Sequence, residues 1–201
     1  QPGDFEAAGP AVAGLCVAEA TSRARHPESA HDLGDFLRAS GVSALSGLPT
    51  REITLRLRER GSLRGLIAFK KPGAAALRAL RRSPGMRGRA LVREVSARRP
   101  YIWKRDSWEG GRKIAVLDCG VKRSLLGALE EAACAVKVFP AEWPARAILE
   151  ESPDGILLSN GPGDPAALGG IIANVKTLMR QNIPILGVCL GAQLLALAAG
   201  G

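Results

Sequence analysis

The chain has 201 residues, 46% of them hydrophobic and only 4% aromatic, with a net charge of +9. That length holds one large or two small domains, with an apolar share sufficient for an aliphatic, alanine-rich core. Cys16, Cys119, Cys134 and Cys189 show no C-x-x-C spacing, which argues against a zinc site and a disulfide framework and makes a reducing cytoplasm the simplest compartment. The sequence shows no basic-then-apolar signal segment.

The charge is unevenly placed. Residues 112–201 balance, with 8 Lys+Arg against 8 Asp+Glu, so the whole excess lies in residues 1–111, with 20 against 11. A basic surface of that kind can bind nucleic acid. Here the arginines are scattered through helical segments almost without interleaved aromatics, and they read as solvated helix faces and a surface for a partner subunit.

Taken in order, residues 1–10 read as loop and Val12 to Ala18 as a strand. Asp32 to Ser40 reads as a helix, with Leu33, Phe36 and Leu37 on one face and Gly41 as its stop. Thr50 is placed to N-cap the next helix, in which Ile53 and Leu57 share a face and Gly61 ends the segment. Gly65 to Phe69 reads as a strand, Ala74 to Arg82 as a helix stopped by Pro84, and Leu91 to Val95 as a strand. His26 and His31 lack metal-ligand spacing and read as surface residues. Pro100 to Gly111, with Tyr101, Trp103 and Trp108 among charges, reads as a linker, its tryptophans packing at a domain junction.

From Lys113 the pattern turns regular. Strands are expected at 114–117, 136–139, 156–158 and 183–188, and helices at 122–132, 145–151 and 171–180, followed by a last helix after Cys189. Such alternation implies a parallel sheet with helices on both faces, and ligands bind beyond the carboxyl ends of its strands. Ile183 to Gly201 is uncharged and about as long as a membrane span. Pro184, Gln193 and its glycines make a strand-turn-helix the better reading.

Two stretches at those carboxyl ends carry chemistry. In Gly187-Val188-Cys189-Leu190-Gly191, a cysteine sits at a sharp strand-to-helix turn with glycine two residues before and after, the pattern of a nucleophile elbow. The helix N-terminus that follows favours an anion and offers unpaired amides. Ser159-Asn160-Gly161-Pro162-Gly163-Asp164-Pro165 forms a second strand-to-loop junction, where Gly and Pro freeze backbone amides outward. Taken singly, Cys189 also reads as a small buried hydrophobe, and the glycine loop as a plain surface turn.

Together the two stretches resemble the class I (triad) glutamine amidotransferases, and more narrowly the small, glutaminase subunits of carbamoyl-phosphate synthetases. Leu117-Asp118-Cys119-Gly120-Val121-Lys122-Arg123, Pro153-Asp154-Gly155-Ile156-Leu157-Leu158, and Gly47-Leu48-Pro49-Thr50-Arg51 with Leu57-Arg58-Glu59-Arg60-Gly61 carry the narrower match. The resemblance implies an α/β chain: part of the small-subunit N-terminal domain over 1–105, a linker at 106–112, and a flavodoxin-like parallel sheet over 113–201, truncated after the elbow. The chain then reads as an internal fragment.

By the same resemblance, Cys189 attacks the side-chain amide of glutamine, ammonia leaves, and water cleaves the thioester. Gly161, Gly163, Leu190 and Gln193 would hold the glutamine, and the amides of Gly163 and Leu190 would form the oxyanion hole. The resemblance implies no cofactor or metal in this subunit. Its partner, in a heterodimer or higher assembly, would be a large synthetase subunit using ATP and Mg to make carbamoyl phosphate for arginine and pyrimidine synthesis. Neither nucleic acid nor membrane is expected as a partner. Two departures stand out. Residues 112–201 contain no histidine, so no triad base can be assigned and the 201 residues alone are expected to be inactive. Ala192 stands where the family usually has histidine, with modest effects expected on packing or loop order. Two other readings stay open: the glutaminase component of another biosynthetic amidotransferase, and a non-catalytic, partner-binding pseudo-glutaminase.

Overall fold

The computed structural model describes residues 5–7, 9–21, 32–104 and 108–201. His26 and His31 fall outside the described residues, as does part of the loop expected over 1–10. The chain forms two compact units, Gln1–Met86 and Arg87–Gly201. Residues 87–104 therefore pack with the second unit, although the sequence reading assigns them to the first domain.

In the first unit, β1 (Gly14–Cys16) pairs in parallel with β2 (Ser43–Leu45), and α1 (Leu33–Ala39) lies between them in sequence. α2 (Thr50–Arg60) and α3 (Ala74–Arg82) follow. Among the described residues of this unit only Leu37 is buried. Two expectations fail here. Thr50 is the first helical residue, behind Pro49, and makes no cap bond. Gly65 to Phe69 forms no strand, since no neighbouring strand offers its backbone a ladder; Ile67 instead lies over Gly14 of β1.

The second unit opens with α4 (Val92–Val95), a short helix where a strand was expected. Val92 is fully buried, while Arg93 and Glu94 face out, so the four residues follow a helical rather than an alternating pattern. β3 (Tyr101–Ile102) lies in the stretch read as linker and pairs antiparallel with β5 (Cys134–Pro140). β4 (Arg112–Asp118), α5 (Arg123–Glu131), β5, α6 (Ala145–Leu149), β6 (Gly155–Leu158), a 3-10 turn (Pro165–Ala167), α7 (Gly169–Leu178), β7 (Ile185–Gly187) and α8 (Leu190–Ala199) complete it.

The sheet order is β3-β5-β4-β6-β7, with β5, β4, β6 and β7 parallel. That is the order of a flavodoxin-like sheet, whose switch point falls between β4 and β6. Apolar runs make the central strands β4 and β6 because both of their faces are covered, whereas Leu186 of edge strand β7 stays exposed. Ala115 and Leu117 of β4 and Ile156 and Leu158 of β6 join one core with Ile148 of α6, Val175 of α7 and Leu194 of α8. Val116 of β4 and Leu157 of β6 point the other way, into a core with Val136 and Val138 of β5 and Leu126 of α5. Helices thus cover both faces. Each fully buried Leu, Ile or Val contributes about 1.5–3 kcal/mol. Trp103 packs on the second core and donates to Glu130 at 3.2 Å, and buried Trp108 donates to the Glu151 carbonyl at 3.3 Å. Among the described residues, no helix is long and apolar enough to cross a membrane.

Candidate active site

The site begins at the end of β7. Val188 donates to the carbonyl of Leu158 at 2.9 Å, which extends the β6–β7 ladder up to the turn. Cys189 then takes φ 52° and ψ −109° before α8 starts at Leu190. A side-chain-bearing residue in that region costs about 1–3 kcal/mol and persists only where its surroundings hold it. Here the hold is visible. Gly191 donates back to the Val188 carbonyl at 2.9 Å, and Gln193 donates to the Cys189 carbonyl at 3.2 Å. Both glycines of the turn are required by space. A Cβ on Gly191 would overlap the Leu158 carbonyl oxygen, and one on Gly187 would lie 2.6 Å from the Ala192 nitrogen. The strained turn leaves Cys189 exposed, against the reading of it as a buried hydrophobe.

The glycine loop leaves β6 next door. Buried Ser159 accepts the Cys119 amide at 2.9 Å and donates to the Asn160 carbonyl at 2.8 Å. The Asn160 side chain donates to the Gly120 carbonyl at 2.8 Å and accepts the Lys122 amide at 3.4 Å. Gly161 packs flat on the β4–α5 turn, since a Cβ there would overlap the Cys119 carbonyl. That turn is fixed in its own right. Buried Asp118 accepts the amides of Gly120 at 2.9 Å and Val121 at 2.8 Å through one oxygen, and that of Ala97 at 2.7 Å through the other.

Gly163 holds φ 102°, and a Cβ on it would lie 2.8 Å from the Arg89 carbonyl. Asp164 accepts the amides of Gly88 at 2.9 Å and Ala166 at 3.0 Å. Those two hydrogen bonds hold its carboxyl below the usual carboxylate range, with Arg87 adding to the effect and slight desolvation opposing it. The residues of 88–97 that the sequence reading left without chemistry thus brace both loops.

Cys189, Val188, Asn160 and Gly161 line one open pocket of about 600 Å³, together with Lys122, Ser124, Leu125 and Ala128 from the start of α5. The structure therefore brings Cys189 and Gly161 together. Gly163 lies two residues further along the loop, Leu190 is buried with its amide at the first position of α8, and Gln193 is exposed one turn on. None of these three is among the residues lining the pocket. As the first helical residue, Leu190 has no preceding turn to accept its N–H. Ala192 is exposed, so the position carries no buried packing.

A second cysteine, Cys119, is fully buried in the turn beneath Gly161. Burial, with the charge of Asp118 adding, pushes its thiol up to about 12. A cavity of about 430 Å³ in the first unit, walled by Leu15, Val17, Leu33 and Leu37 beside Asp35 and Arg38, has neither cysteine nor histidine among its lining residues.

The polar supports of the pocket, Asp118, Ser159, Asn160 and Lys122, went unassigned in the sequence reading. The available signal was a short polar residue at the end of one buried strand, Asp118, and directly after another, Ser159, where such side chains bond loop amides.

Comparison with known proteins bears on both halves of the chain. Residues 115–201 match the class-I glutamine amidotransferase family, and residues 1–67 match the CPSase domain of the carbamoyl-phosphate synthase small chain. The chain belongs to the carbamoyl-phosphate synthase small-chain family. The carbamoyl phosphate synthase small chain of Thioalkalivibrio sulfidiphilus is 38% identical over 211 residues, covering 99% of this chain and 56% of the relative. That of Photorhabdus laumondii is 42% identical over 183 residues, covering 84% of this chain and 47% of the relative. That of Escherichia coli O6:H1 is 37% identical over 202 residues, covering 93% and 53%. The chain spans about half the length of the curated relatives it matches.

Proposed function

We propose that this chain supplies the nucleophile half of a glutaminase site in a carbamoyl phosphate synthase small chain. The observation that carries this reading is the strained Cys189 turn opening onto a pocket shared with Asn160 and Gly161. The Cys189 sulfur attacks the side-chain amide carbon of glutamine and forms a thioester as ammonia leaves with a proton. Water then cleaves the thioester, restoring the thiol and freeing glutamate. Each half passes through an oxyanion, for which the amides of Leu190 and Gly163 are the proposed donors. One such donor is worth about 3–4 kcal/mol of barrier. Gly161 and Gln193 complete the proposed contacts to glutamine.

The ammonia would pass to a large synthetase subunit that consumes ATP and bicarbonate. The carbamoyl phosphate made there would serve arginine and pyrimidine synthesis. Residues 112–201 hold no histidine to take the thiol proton, so the 201 residues alone should turn over negligible glutamine.

The test is protection. Millimolar glutamine should slow the alkylation of Cys189 by iodoacetamide, whereas glutamate and asparagine protect less. Equal rates with and without glutamine would contradict the reading, and steady ammonia release by the isolated chain would contradict its proposed inactivity.

A further inference from the structure

We propose that Asn160 is a positioning residue, whose carboxamide sets the distance between the glycine loop and the start of α5 and so keeps the Cys189 pocket open to an extended amide side chain. The proposal rests on the glutaminase reading for its substrate, and on the loop geometry alone for its mechanism.

Besides the elbow residues Val188 and Cys189, the pocket is lined by two chain segments that no ladder joins directly. One is Lys122 with the first turns of α5, entered through the turn Cys119 to Val121, and the other is Asn160 and Gly161 after β6. Ser159 and Asn160 tie them together. Ser159 works from within: fully buried, it bonds the Cys119 amide and the Asn160 carbonyl. Asn160 works at the pocket lining itself, half-buried, with its donor on the Gly120 carbonyl at 2.8 Å and its acceptor toward the Lys122 amide at 3.4 Å.

A carboxamide suits this place because it offers a donor and an acceptor on one rigid plane. Aspartate has the same shape but, when ionised, only acceptors. It can keep the Lys122 amide but sets a carboxylate against the Gly120 carbonyl. Once protonated, it regains the donor. Gly161 follows directly and has no slack, because it lies flat on the Cys119 carbonyl. Any spreading at Asn160 therefore passes to Gly161 and on to Gly163.

The experiment uses the 201-residue chain and its Asn160→Asp and Asn160→Ala variants. Two electrophiles compete for Cys189: a chloromethyl ketone shaped like glutamine, and iodoacetamide. Their rate ratio cancels changes in the thiol itself. Protection of the 159–165 and 118–123 amides against deuterium exchange is measured alongside, corrected for intrinsic rates.

The ratio should fall about tenfold in Asn160→Asp at neutral to mildly alkaline pH, the worth of one to two ordinary hydrogen bonds. It should recover as the pH is lowered and the carboxyl is protonated. Asn160→Ala, which brings no charge, should show the fall at every pH. Both variants should lose protection in the same two segments whenever the ratio is low. Unchanged protection would overturn the proposal, and so would lost protection with an unchanged ratio. A wild-type chain that shows no preference for the glutamine-shaped reagent would instead overturn the substrate reading, leaving the exchange measurement to judge Asn160.

Discussion

The two units, Gln1–Met86 and Arg87–Gly201, hold themselves together differently. The second unit has two apolar cores, one on each face of a largely parallel sheet. Among the described residues of the first, only β1 and β2 pair, and α2 and α3 bury no residue at all. Ile53, Leu55, Leu57, Leu63, Leu66 and Phe69 are all exposed there, among the arginines that give this half its charge. The lesson concerns the site. A strained cysteine and a tightly seated glycine loop can be held only by a unit with packing to spare, and both belong to the second.

That contrast predicts a hierarchy of effects. Leu194→Ala, in the core beneath the elbow helix, should cost about 2–5 kcal/mol of stability. Leu57→Ala in α2, with its side chain already 40% exposed, should cost well under about 1 kcal/mol. Urea unfolding of the two variants checks this, and comparable losses would break the contrast.

Glycine gives the same comparison at the backbone. Gly191→Ala drives a methyl into the Leu158 carbonyl and should cost about 1–3 kcal/mol or more. Gly34→Ala in α1 meets nothing within 4 Å and should be neutral or stabilising by up to about 1 kcal/mol. Thermal melts decide it. Cys189→Gly should raise stability by about 1 kcal/mol by releasing the strained φ of 52° while abolishing alkylation at this position. A variant less stable than the parent would show that the turn is not strained.

Between about pH 4 and pH 9 the pH effects should be smaller. The Cys119 thiol is raised from its ordinary 9.0 to about 12, mainly by burial. Its contribution is complete below pH 9 and fades as pH climbs from there toward 12. Asp164 is shifted the other way, chiefly by the Gly88 amide. Its contribution is complete above its ordinary 3.8 and is lost as pH falls through the lowered value. Asp164→Asn should therefore flatten the acid limb of a stability profile, and Cys119→Ala the alkaline limb, each without moving the other.

What could be read in the sequence follows the same division. Over 112–201 the central strands β4 and β6 are apolar runs covered on both faces, so pattern and packing agree there, while edge strand β7 keeps Leu186 exposed. The elbow was legible because glycine is forced at 187 and 191 by backbone contact, and contact of that kind leaves a fixed spacing. The failures cluster where short segments take their structure from distant partners. Leu91 to Val95 is apolar enough for a strand, yet only Val92 is buried, against the second unit's core. Tyr101–Ile102 gains strand character solely from β5. Gly65 to Phe69 has the composition of a strand and no strand beside it. The Asp118–Ala97 and Asn160–Gly120 hydrogen bonds span 21 and 40 positions, so the sequence shows the polar residue but not its distant partner.

The most direct test sets one exposed thiol of each unit against the other. Cys16 and Cys189 are both exposed, but only Cys189 faces a pocket with a glycine loop. Peptide mapping after brief treatment with the glutamine-shaped chloromethyl ketone should find Cys189 modified well ahead of Cys16, with Cys119 untouched and the Cys189 signal suppressed by added glutamine. Equal modification of Cys16 and Cys189, insensitive to glutamine, would contradict the account.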